Sequence, residues 1–274
     1  MIDLHLHSHA SDGTLSPTAL VALAQERGMN LMSLTDHDCL DGVAEAQAAC
    51  AAAGIRFLPG VEISVSWERK TLHVVAIGVN PQYAGLIAGL ARLQAVRDER
   101  ALEIGRRLEA KGIAGAYAGA LALAGDAKLT RTHFARFLHQ AGHVKDEAQA
   151  YKKWLGRGKP GHVSAEWASL EEALSWIHGA GGAAVLAHPL RYGITRAWLV
   201  KALIAFKQAG GDAMEVVCGR SNPDEVAVSA HLAKRFELAG SVGSDFHAPS
   251  PWLQLGVETA LPAGVSAIWE RIAA

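Results

Sequence analysis

The sequence lacks the features of secreted and membrane-spanning proteins. Its three cysteines, Cys39, Cys50 and Cys218, are scattered and form no CxxC pair. This excludes a disulfide framework and favours a reducing, cytoplasmic location. No basic segment precedes an apolar run at the N-terminus, so we expect no signal peptide. The uncharged stretch 112–125 has only 14 residues, which is too short to span a bilayer, and no membrane partner is expected.

The chain also lacks a strong net charge. Its 274 residues carry a net charge of −1, which excludes a basic nucleic-acid coat and an acidic disordered tail. The charge is unevenly spread, because residues 128–162 hold eight Lys or Arg against two acids, a net +6, and the remainder carries −7. A basic segment above an acidic body suits an anionic substrate. A solvated helical face with ordinary lysines explains the same pattern equally well.

Short apolar runs alternate with helical patterns along the chain. Half of the residues are hydrophobic, enough for a sizeable core. Strands that alternate with helices indicate an α/β fold with a parallel sheet covered by helices. Seven such runs favour a closed or nearly closed barrel over an open sheet. The predicted strands are IDLHL (2–6), LMSLT (31–35), RFLPGVEISV (56–65), TLHVVAIG (71–78), AAVLA (183–187), AMEVV (213–217) and SVG (241–243).

Helix start and stop signals separate these runs. Ser16 stands at an N-cap position, Pro17 follows at the first helical position, and Gly28 lies just past the end. Gly54 ends a second, Ala-rich helix in the same way. The predicted helices of this part of the fold cover residues 16–28, 43–53, 169–180, 196–209 and 224–236.

A long helical segment interrupts the alternation between the fourth and fifth strands. Asn80-Pro81 predicts the cap of its first helix, and a strongly amphipathic pattern runs over 93–112. THFARFLHQAG and DEAQAYKKWLGRG predict two more helices. The segment is too long for a simple connection. We therefore predict a barrel domain made of residues 1–80 and 169–274 that carries a helical insertion over 81–168.

Histidines and carboxylates recur at the ends of the predicted strands. His5 and His7 are two apart on one strand, so both point to one face, and Asp245 and His247 repeat that spacing. In an α/β barrel the carboxyl ends of the strands form the active-site face. Any one of these histidines is weak evidence, but their joint pattern suits Zn, Mn or Fe. The residues exceed the needs of one ion, which favours two or three ions sharing a bridging carboxylate. They are His5, His7, Asp12, His37, Glu62, His73, His188, Asp245 and His247.

The strand-end motifs resemble a known family. DLHLHSHASDG, TDHD, PGVEIS, LHVVAIG, LAHP and GSDFH resemble the polymerase and histidinol phosphatase (PHP) family of amidohydrolase-like barrels. The segments LTRTHFARFLHQAG and YKKWLGRGKPGHVSAEWASLEEAL look like the bacterial members that act on nucleoside 3′,5′-bisphosphates and on the 5′ ends of short RNA. The resemblance implies a distorted (βα)7 barrel with a helical cap and three divalent ions, Mn²⁺ before Fe²⁺ or Zn²⁺. Its implied ligand sets are His5, His7, Glu62 and Asp245; Glu62, His73 and His188; and Asp12, His37 and His247.

The resemblance also implies a reaction. The enzyme would remove the 3′-phosphate of a substrate such as adenosine 3′,5′-bisphosphate and degrade short 5′-phosphorylated RNA from its 5′ end. A hydroxide formed between two ions bridged by Glu62 would attack phosphorus, and Asp245 could take its proton. His9 is a candidate general acid, or else a residue of the surface or the outer part of the site. Asp36 and Asp38 could orient an imidazole, and Asp38 or Asp41 could instead cap the following helix.

Phosphate recognition is expected from the basic insertion. Arg131 is the first candidate, because a guanidinium binds phosphate through two parallel hydrogen bonds. Lys159 in the GRGKPGH loop and His133, two residues after Arg131, are the next candidates. Asn222 either contacts the same ligand or caps the helix that begins at Pro223.

Two other functions stay open. A phosphatase for another small phosphomonoester, of the histidinol phosphate type, would need no basic insertion. A non-enzymatic metal-binding module would not need so complete a ligand set. GAGGAAV (179–185) precedes a strand rather than following one, so it is no dinucleotide loop. The expected substrate is a nucleotide or a short RNA 5′ end, and no obligate protein partner is evident.

Overall fold

Eight strands form two sheets in the described part of the chain. The computed structural model describes residues 1–219, 221–250, 253–257 and 260–272. The strands are β1 (Ile2–Asp3), β2 (Leu31–Met32), β3 (Arg56–Phe57), β4 (Gly60–Trp67), β5 (Lys70–Ile77), β6 (Ala183–Leu186), β7 (Ala213–Cys218) and β8 (Ala239–Gly243). One sheet has the order β1-β2-β3 and the other β4-β5-β6-β7-β8.

Helices cover the segments between the strands. The predicted N-cap is confirmed, since Ser16 Oγ accepts a hydrogen bond from Ala19 N at 3.1 Å. Three later helices begin with capping boxes, at Thr130, Ser169 and Asn222. The helices are α1 (Pro17–Glu26), α2 (Val43–Ala53), α3 (Ala84–Glu109), α4 (Ala116–Ala124), α5 (Arg131–Gln140), α6 (Glu147–Ala150), a π-helical turn (Tyr151–Leu155), α7 (Leu170–Gly179), α8 (Arg196–Gln208), α9 (Pro223–Arg235) and a 3₁₀ turn (Ile268–Glu270).

The mixed α/β class is confirmed, but a closed parallel barrel is not found among the described residues. β4 and β5 form an antiparallel hairpin, and β5 pairs antiparallel with β6 as well. The predicted strand 56–65 is divided at Leu58-Pro59 into β3 and β4, which belong to different sheets. Pro59 cannot donate a ladder hydrogen bond, which accounts for the break at this point.

The first two strands are much shorter than predicted. β1 ends at Asp3 and β2 at Met32, although the apolar runs continue to residues 6 and 35. Beyond these points a side chain replaces part of the ladder, because Thr35 Oγ1 lies 3.1 Å from both the N and the O of Leu6. The chain therefore stays in place at the strand ends without regular strand pairing.

The insertion has a hydrophobic cluster of its own, although its first helix also packs on the sheet. Leu86 and Leu90 of α3 belong to the cluster that covers β4, β5 and β6. Ile104 and Leu108 of the same helix pack with Phe134 of α5 in a second cluster. The division of the chain at residues 81 and 168 stays a prediction.

The predicted cap at Asn80 is wrong. α3 begins at Ala84 with Tyr83 as its N-cap, and Asn80 Oδ1 instead accepts from Gln82 N at 3.0 Å within the preceding turn. Across the ranges that the structure describes, no helix has both the length and the apolar composition needed to cross a bilayer.

Candidate metal centre and substrate cleft

A buried carboxylate surrounded by imidazoles lies where the strands end. Glu62 stands on β4 and is 1% exposed, and a parallel bridge to His37 fixes it beside the end of β2. Five imidazoles converge on its two oxygens. From Oε1 the distances are 2.8 Å to His73 Nδ1, 3.0 Å to His188 Nε2 and 3.4 Å to His5 Nε2; from Oε2 they are 2.7 Å to His37 Nδ1 and 3.4 Å to His7 Nε2.

Two further carboxylates complete this cluster. Asp245 Oδ1 lies 3.3 Å from His7 Nε2, 3.6 Å from His5 Nε2 and 3.6 Å from His247 Nδ1. Asp12 Oδ1 lies 3.2 Å from the other ring nitrogen of His247. The structure thus brings together all nine residues that the sequence places in the metal site, and we call them the ligand cluster.

The cluster has the chemistry of a site for divalent cations. Among the described residues, buried atoms without a hydrogen-bond partner include Glu62 Oε2, Asp12 Oδ1 and His37 Nδ1. The short contact between His37 and Glu62 lacks hydrogen-bond geometry, as for two ligands directed at one ion. An unpaired buried polar atom costs about 1–3 kcal/mol. Imidazole nitrogens and carboxylate oxygens suit Mn, Fe and Zn, so the residues fit the metal ions that their pattern implies.

The geometry groups the ligands somewhat differently from the sets that the resemblance implies. His7 joins the group of Asp12, and His37 joins that of Glu62, whereas His188 belongs to none of the three groups. His188 still contacts Glu62. The groups whose ligand atoms all lie within 4.8 Å of one another are His7, Asp12, His37 and His247; His5, His7 and Asp245; and His37, Glu62 and His73.

Burial keeps one of the ligand histidines neutral. It lowers the pKa of His7 to about 3, and the neighbouring His247 acts in the same direction. Neutral imidazole is the form that binds a metal. The backbone also favours a fixed arrangement, since His188 and Asp245 have φ values of 29° and 56°. Non-glycine residues rarely adopt this left-handed region, and such strain concentrates at functional sites.

Sequence reasoning missed a carboxylate that supports the cluster. Glu215 on β7 is 1% exposed, and its Oε1 accepts from His5 Nδ1 at 2.7 Å. Its Oε2 accepts from the backbone N of His188 at 2.5 Å. With Nδ1 donating to Glu215, His5 directs Nε2 to the cluster. The sequence indicated this residue only through its position as a single acid in the apolar strand AMEVV.

A second missed residue joins the insertion to the strand that bears Glu62. Arg97 of α3 is 7% exposed and donates to Asp38 Oδ2 at 2.7 Å and to Ser64 Oγ at 2.9 Å. Asp38 in turn accepts from Ser64 N at 2.7 Å, and its own N donates to the carbonyl of Glu62 at 2.9 Å. Asp38 therefore positions β4, and it neither orients an imidazole nor caps α2.

Asp36 likewise does not orient an imidazole. It accepts hydrogen bonds from the Ser8 backbone at 2.9 Å and from the hydroxyls of Ser8 at 2.6 Å and Ser11 at 2.5 Å. Burial raises the pKa of Asp36 to about 6. The residue fixes the loop between His7 and Asp12.

Arg131, the first residue predicted to bind phosphate, lines a cavity beside the ligand cluster. The cavity has a volume of about 210 Å³ and is also lined by the ligands Asp12, His37, His73 and His247. The Arg131 guanidinium lies over the Tyr151 ring, 5.8 Å from the centroid. Arg100 of α3, which the sequence did not indicate, lines the same cavity. Thr71, Arg100 and Arg131 also line a larger cleft of about 960 Å³, so the two spaces adjoin.

The other predicted contact residues lie elsewhere. His133 is buried in the capping box of α5, where its Nδ1 accepts from Thr130 N at 3.1 Å, and burial lowers its pKa to about 4. Asn222 caps α9 by accepting from Glu225 N at 2.9 Å, which is the second interpretation that the sequence allowed. His9 and Lys159 are exposed, and neither lines the two cavities.

Comparison with known proteins identifies the family. The profile described as PHP domain matches residues 3–162 of this chain. The chain belongs to the PHP family. It is 47% identical over 270 residues to a 5′-3′ exoribonuclease of Haemophilus influenzae, with 98% of each chain covered. It is 46% identical over 275 residues to a 3′,5′-nucleoside bisphosphate phosphatase of Chromobacterium violaceum, covering all of this chain and 96% of that protein.

A solved structure supports the same assignment. An amidohydrolase from Chromobacterium violaceum, with bound sulfate and no metal, superposes with a TM-score of 0.94 at 47% identity. The match covers 99% of this chain and 95% of that one. The similarity to the PHP family therefore extends beyond residue 162 to both sheets and the insertion, and the family resemblance drawn from the motifs is confirmed.

Proposed function

We propose that this PHP-family chain is a metal-dependent phosphoesterase with two related activities. It removes the 3′-phosphate of nucleoside 3′,5′-bisphosphates, and it releases nucleotides from the 5′ end of short RNA. One observation supports this most strongly: the cavity that borders the ligand cluster has Arg100 and Arg131 in its wall. A substrate with two phosphates meets a cation site for one and a guanidinium site for the other. The names of the two relatives, a phosphatase and an exoribonuclease, agree with both activities.

The ligand cluster is the proposed place of two or three divalent cations, of which Mn²⁺ is our first expectation and Fe²⁺ or Zn²⁺ the alternatives. When bound, such ions activate water as Lewis acids and neutralise charge on the phosphoryl group. Asp245 is our candidate acceptor for the proton of the attacking water. Its side chain is 35% exposed, against 1% for Glu62, so it is the more accessible of these two carboxylates.

The arginines are the proposed site for the second phosphate. Arg100 donates its Nε to the carbonyl of Val163 at 3.0 Å, which fixes the side chain. Burial, together with the neighbouring Arg131 and Arg97, lowers the pKa of Arg100 to about 9. The guanidinium groups of Arg100 and Arg131 repel each other, and a phosphate between them would relieve that repulsion.

We also propose that the two sheets are parts of the distorted seven-stranded barrel expected of the family. Leu6, beyond β1, bridges to Phe246, beyond β8, and His37, beyond β2, bridges to Glu62 on β4. These bridges connect the two sheets at two places and support a ring in which β3 stands outside. The helical insertion over 81–168 stays part of this proposal.

Phosphate release tests the proposed activity. With Mn²⁺ present, we expect release from adenosine 3′,5′-bisphosphate and none from AMP, which has only the 5′-phosphate. Release from histidinol phosphate but not from the bisphosphate would instead support the alternative phosphatase. Failure to hydrolyse any ester while metal is bound would support the non-enzymatic module.

The phosphate clamp has its own test in Arg131→Ala. Loss of a charged, bidentate hydrogen-bonding partner is expected to raise KM for the bisphosphate about 10- to 100-fold. Lys159→Ala removes an exposed cation of the same insertion and serves as the matched control, with KM expected to stay the same. An unchanged KM in Arg131→Ala would show that the second phosphate binds elsewhere.

A further inference from the structure

The larger cleft contains more positive charge than a bisphosphate needs. Its lining includes five cationic side chains, Arg69, Lys70, Arg100, Arg131 and Arg157, against the single carboxylate of Glu166. Within the described ranges, none of the five has a carboxylate oxygen within 4.0 Å, although eight other Lys or Arg side chains are paired in this way. For a chain with a net charge of −1, this is a pronounced local concentration of positive charge.

The arginines act together on one histidine in the cleft. The pKa of His162 is lowered by partial burial and then by Arg100, Arg131, Arg157 and Arg107. These contributions agree with a positive field in the cleft. A positive field of this kind attracts a polyanion and orients it.

Lys70, which lines the cleft, shares one aromatic ring with a second ammonium group outside the lining. Lys70 Nζ lies 4.8 Å and Lys201 Nζ 5.0 Å from the centroid of the Trp198 ring. Trp67 packs edge-on against Trp198 at 5.8 Å and fixes the orientation of that ring. Cation–π attraction positions each ammonium, so two like charges stay close together at the surface. Neither lysine forms an ion pair with any described residue.

The cleft also approaches the ligand cluster at Tyr192. Tyr192 lines the cleft, and its ring lies 5.2 Å from the ring of His188. Its hydroxyl lies 2.9 Å from the backbone N of His73. A chain whose scissile phosphate lies at the cluster can therefore continue past Tyr192 into the cleft.

We propose that Lys70 and Lys201, positioned by Trp198, form a subsite for the RNA phosphates that follow the first nucleotide. This rests on the proposed function and adds a site to it, because the cluster and the Arg100–Arg131 pair already account for both phosphates of a bisphosphate. Lysines cover the Trp198 ring, so the subsite binds through charge and not through base stacking. It distinguishes an oligonucleotide from a mononucleotide and is independent of sequence.

The double variant Lys70→Gln/Lys201→Gln tests the subsite. We expect KM for a 5′-phosphorylated hexaribonucleotide to rise about 5- to 20-fold, while KM for adenosine 3′,5′-bisphosphate stays the same. The slope of log KM against log salt for the hexamer should fall by about 1.4, since each neutralised phosphate of a single strand contributes about 0.7. Lys111→Gln/Lys145→Gln removes two exposed lysines outside the cleft and should leave both substrates unaffected.

Two results would overturn the subsite: an unchanged KM for the hexamer, or an equal rise for both substrates. Lys201→Gln alone changes only an exposed side chain. If the double variant unfolds, this single variant still tests the subsite, because it should raise KM for the hexamer about two- to fivefold. If the wild type hydrolyses neither substrate, the proposed function fails. Fluorescence anisotropy with the labelled hexamer then still tests the subsite. Weaker binding by the double variant than by the wild type would support the subsite, and equal binding would refute it.

Discussion

At the scale of single residues, hydrogen bonds to Glu215 fix the positions of two residues of the ligand cluster. Glu215 binds the Nδ1–H of His5 and the backbone N of His188, two residues distant in sequence that both contact Glu62. Gly243 lies against this contact, and a Cβ there would be 2.8 Å from Glu215 Oε1 and 2.3 Å from His5 Cβ. Only glycine fits at position 243. The contact between His5 and Glu215 therefore depends on a close approach of the backbones at β1, β7 and β8.

Glu215→Gln should therefore weaken metal binding without unfolding the protein. The amide keeps the shape of the side chain but removes the charge that strengthens the hydrogen bond from His5. Loss of such a partner typically lowers metal affinity about 10- to 100-fold. Titration with Mn²⁺, followed by electron paramagnetic resonance of the free ion, measures this directly.

Glu171→Gln is the control for this prediction, because Glu171 is an exposed acid on the first turn of α7. It should bind Mn²⁺ like the wild type. If Glu215→Gln also did so, the carboxylate would have only a packing role.

At the scale of elements, one helix connects the helices that follow β5 to the sheet that carries Glu62. α3 spans 26 residues and packs into two hydrophobic clusters. Where the helix passes the site, Arg97 inserts between Asp38 and Ser64. Its guanidinium also lies 5.2 Å from the Trp167 ring centroid. A shift of α3 would therefore move both Arg100 and Glu62.

Arg97→Met should destabilise the fold by about 3 kcal/mol. The change removes one member of a buried ion pair and leaves Asp38, which is 0% exposed, without its cation. Urea unfolding measures the loss of free energy. Arg92→Met is the matched control on the same helix, since Arg92 and Glu172 form a pair that is 50% and 44% exposed. We expect less than about 1 kcal/mol there, and equal losses in the two variants would contradict the role of Arg97.

Elements with local signals could be predicted from the sequence, and those fixed by distant contacts could not. Ser16 and Pro17 predicted the start of α1 correctly, because an N-cap involves only residues of the helix's own first turn. The β4–β5 hairpin was missed because its two-residue turn is Glu68-Arg69, both with positive φ. Such turns normally contain Asn or Gly, so these two residues gave no indication of a reversal.

The same distinction applies to the site. The residues of the ligand cluster were predictable, because imidazoles and carboxylates are conspicuous at the ends of apolar runs. His133 was considered as a substrate contact because it lies two residues from Arg131, and Asn222 because it follows a predicted strand, with a helix cap as its alternative. Both residues act in local helix caps. Glu215 and Arg97 were missed because their partners lie far along the chain, and only the fold shows that these charges are buried.

At the scale of the whole molecule, charge is divided between two places. The stretch 128–162 carries +6 within a chain of net charge −1, and this stretch supplies Arg131 and Arg157 to the cleft. The ligand cluster opposite contains the carboxylates Asp12, Glu62 and Asp245. A phosphate ester placed between them meets guanidinium groups on one side and carboxylates on the other. Only bound cations make the second side attractive to an anion, so substrate binding should require metal.

Removal of metal should also lower the stability of the whole protein. The ligands come from β4, β5 and the segments after β1, β2, β6 and β8, so ions bound there hold distant parts of the chain together. A ligand that binds only the folded state stabilises it by about 2.7 kcal/mol at 100 times its Kd, which corresponds to roughly 5–10 °C in Tm for a chain of this size. We therefore expect calorimetry to show Tm lower by that amount after chelation with EDTA. His7→Asn, which removes a member of two of the three ligand groups, should reduce the difference in Tm between metal-loaded and chelated protein, whereas the exposed His231→Asn should keep it. A Tm that EDTA leaves unchanged would show that metal contributes nothing to the fold.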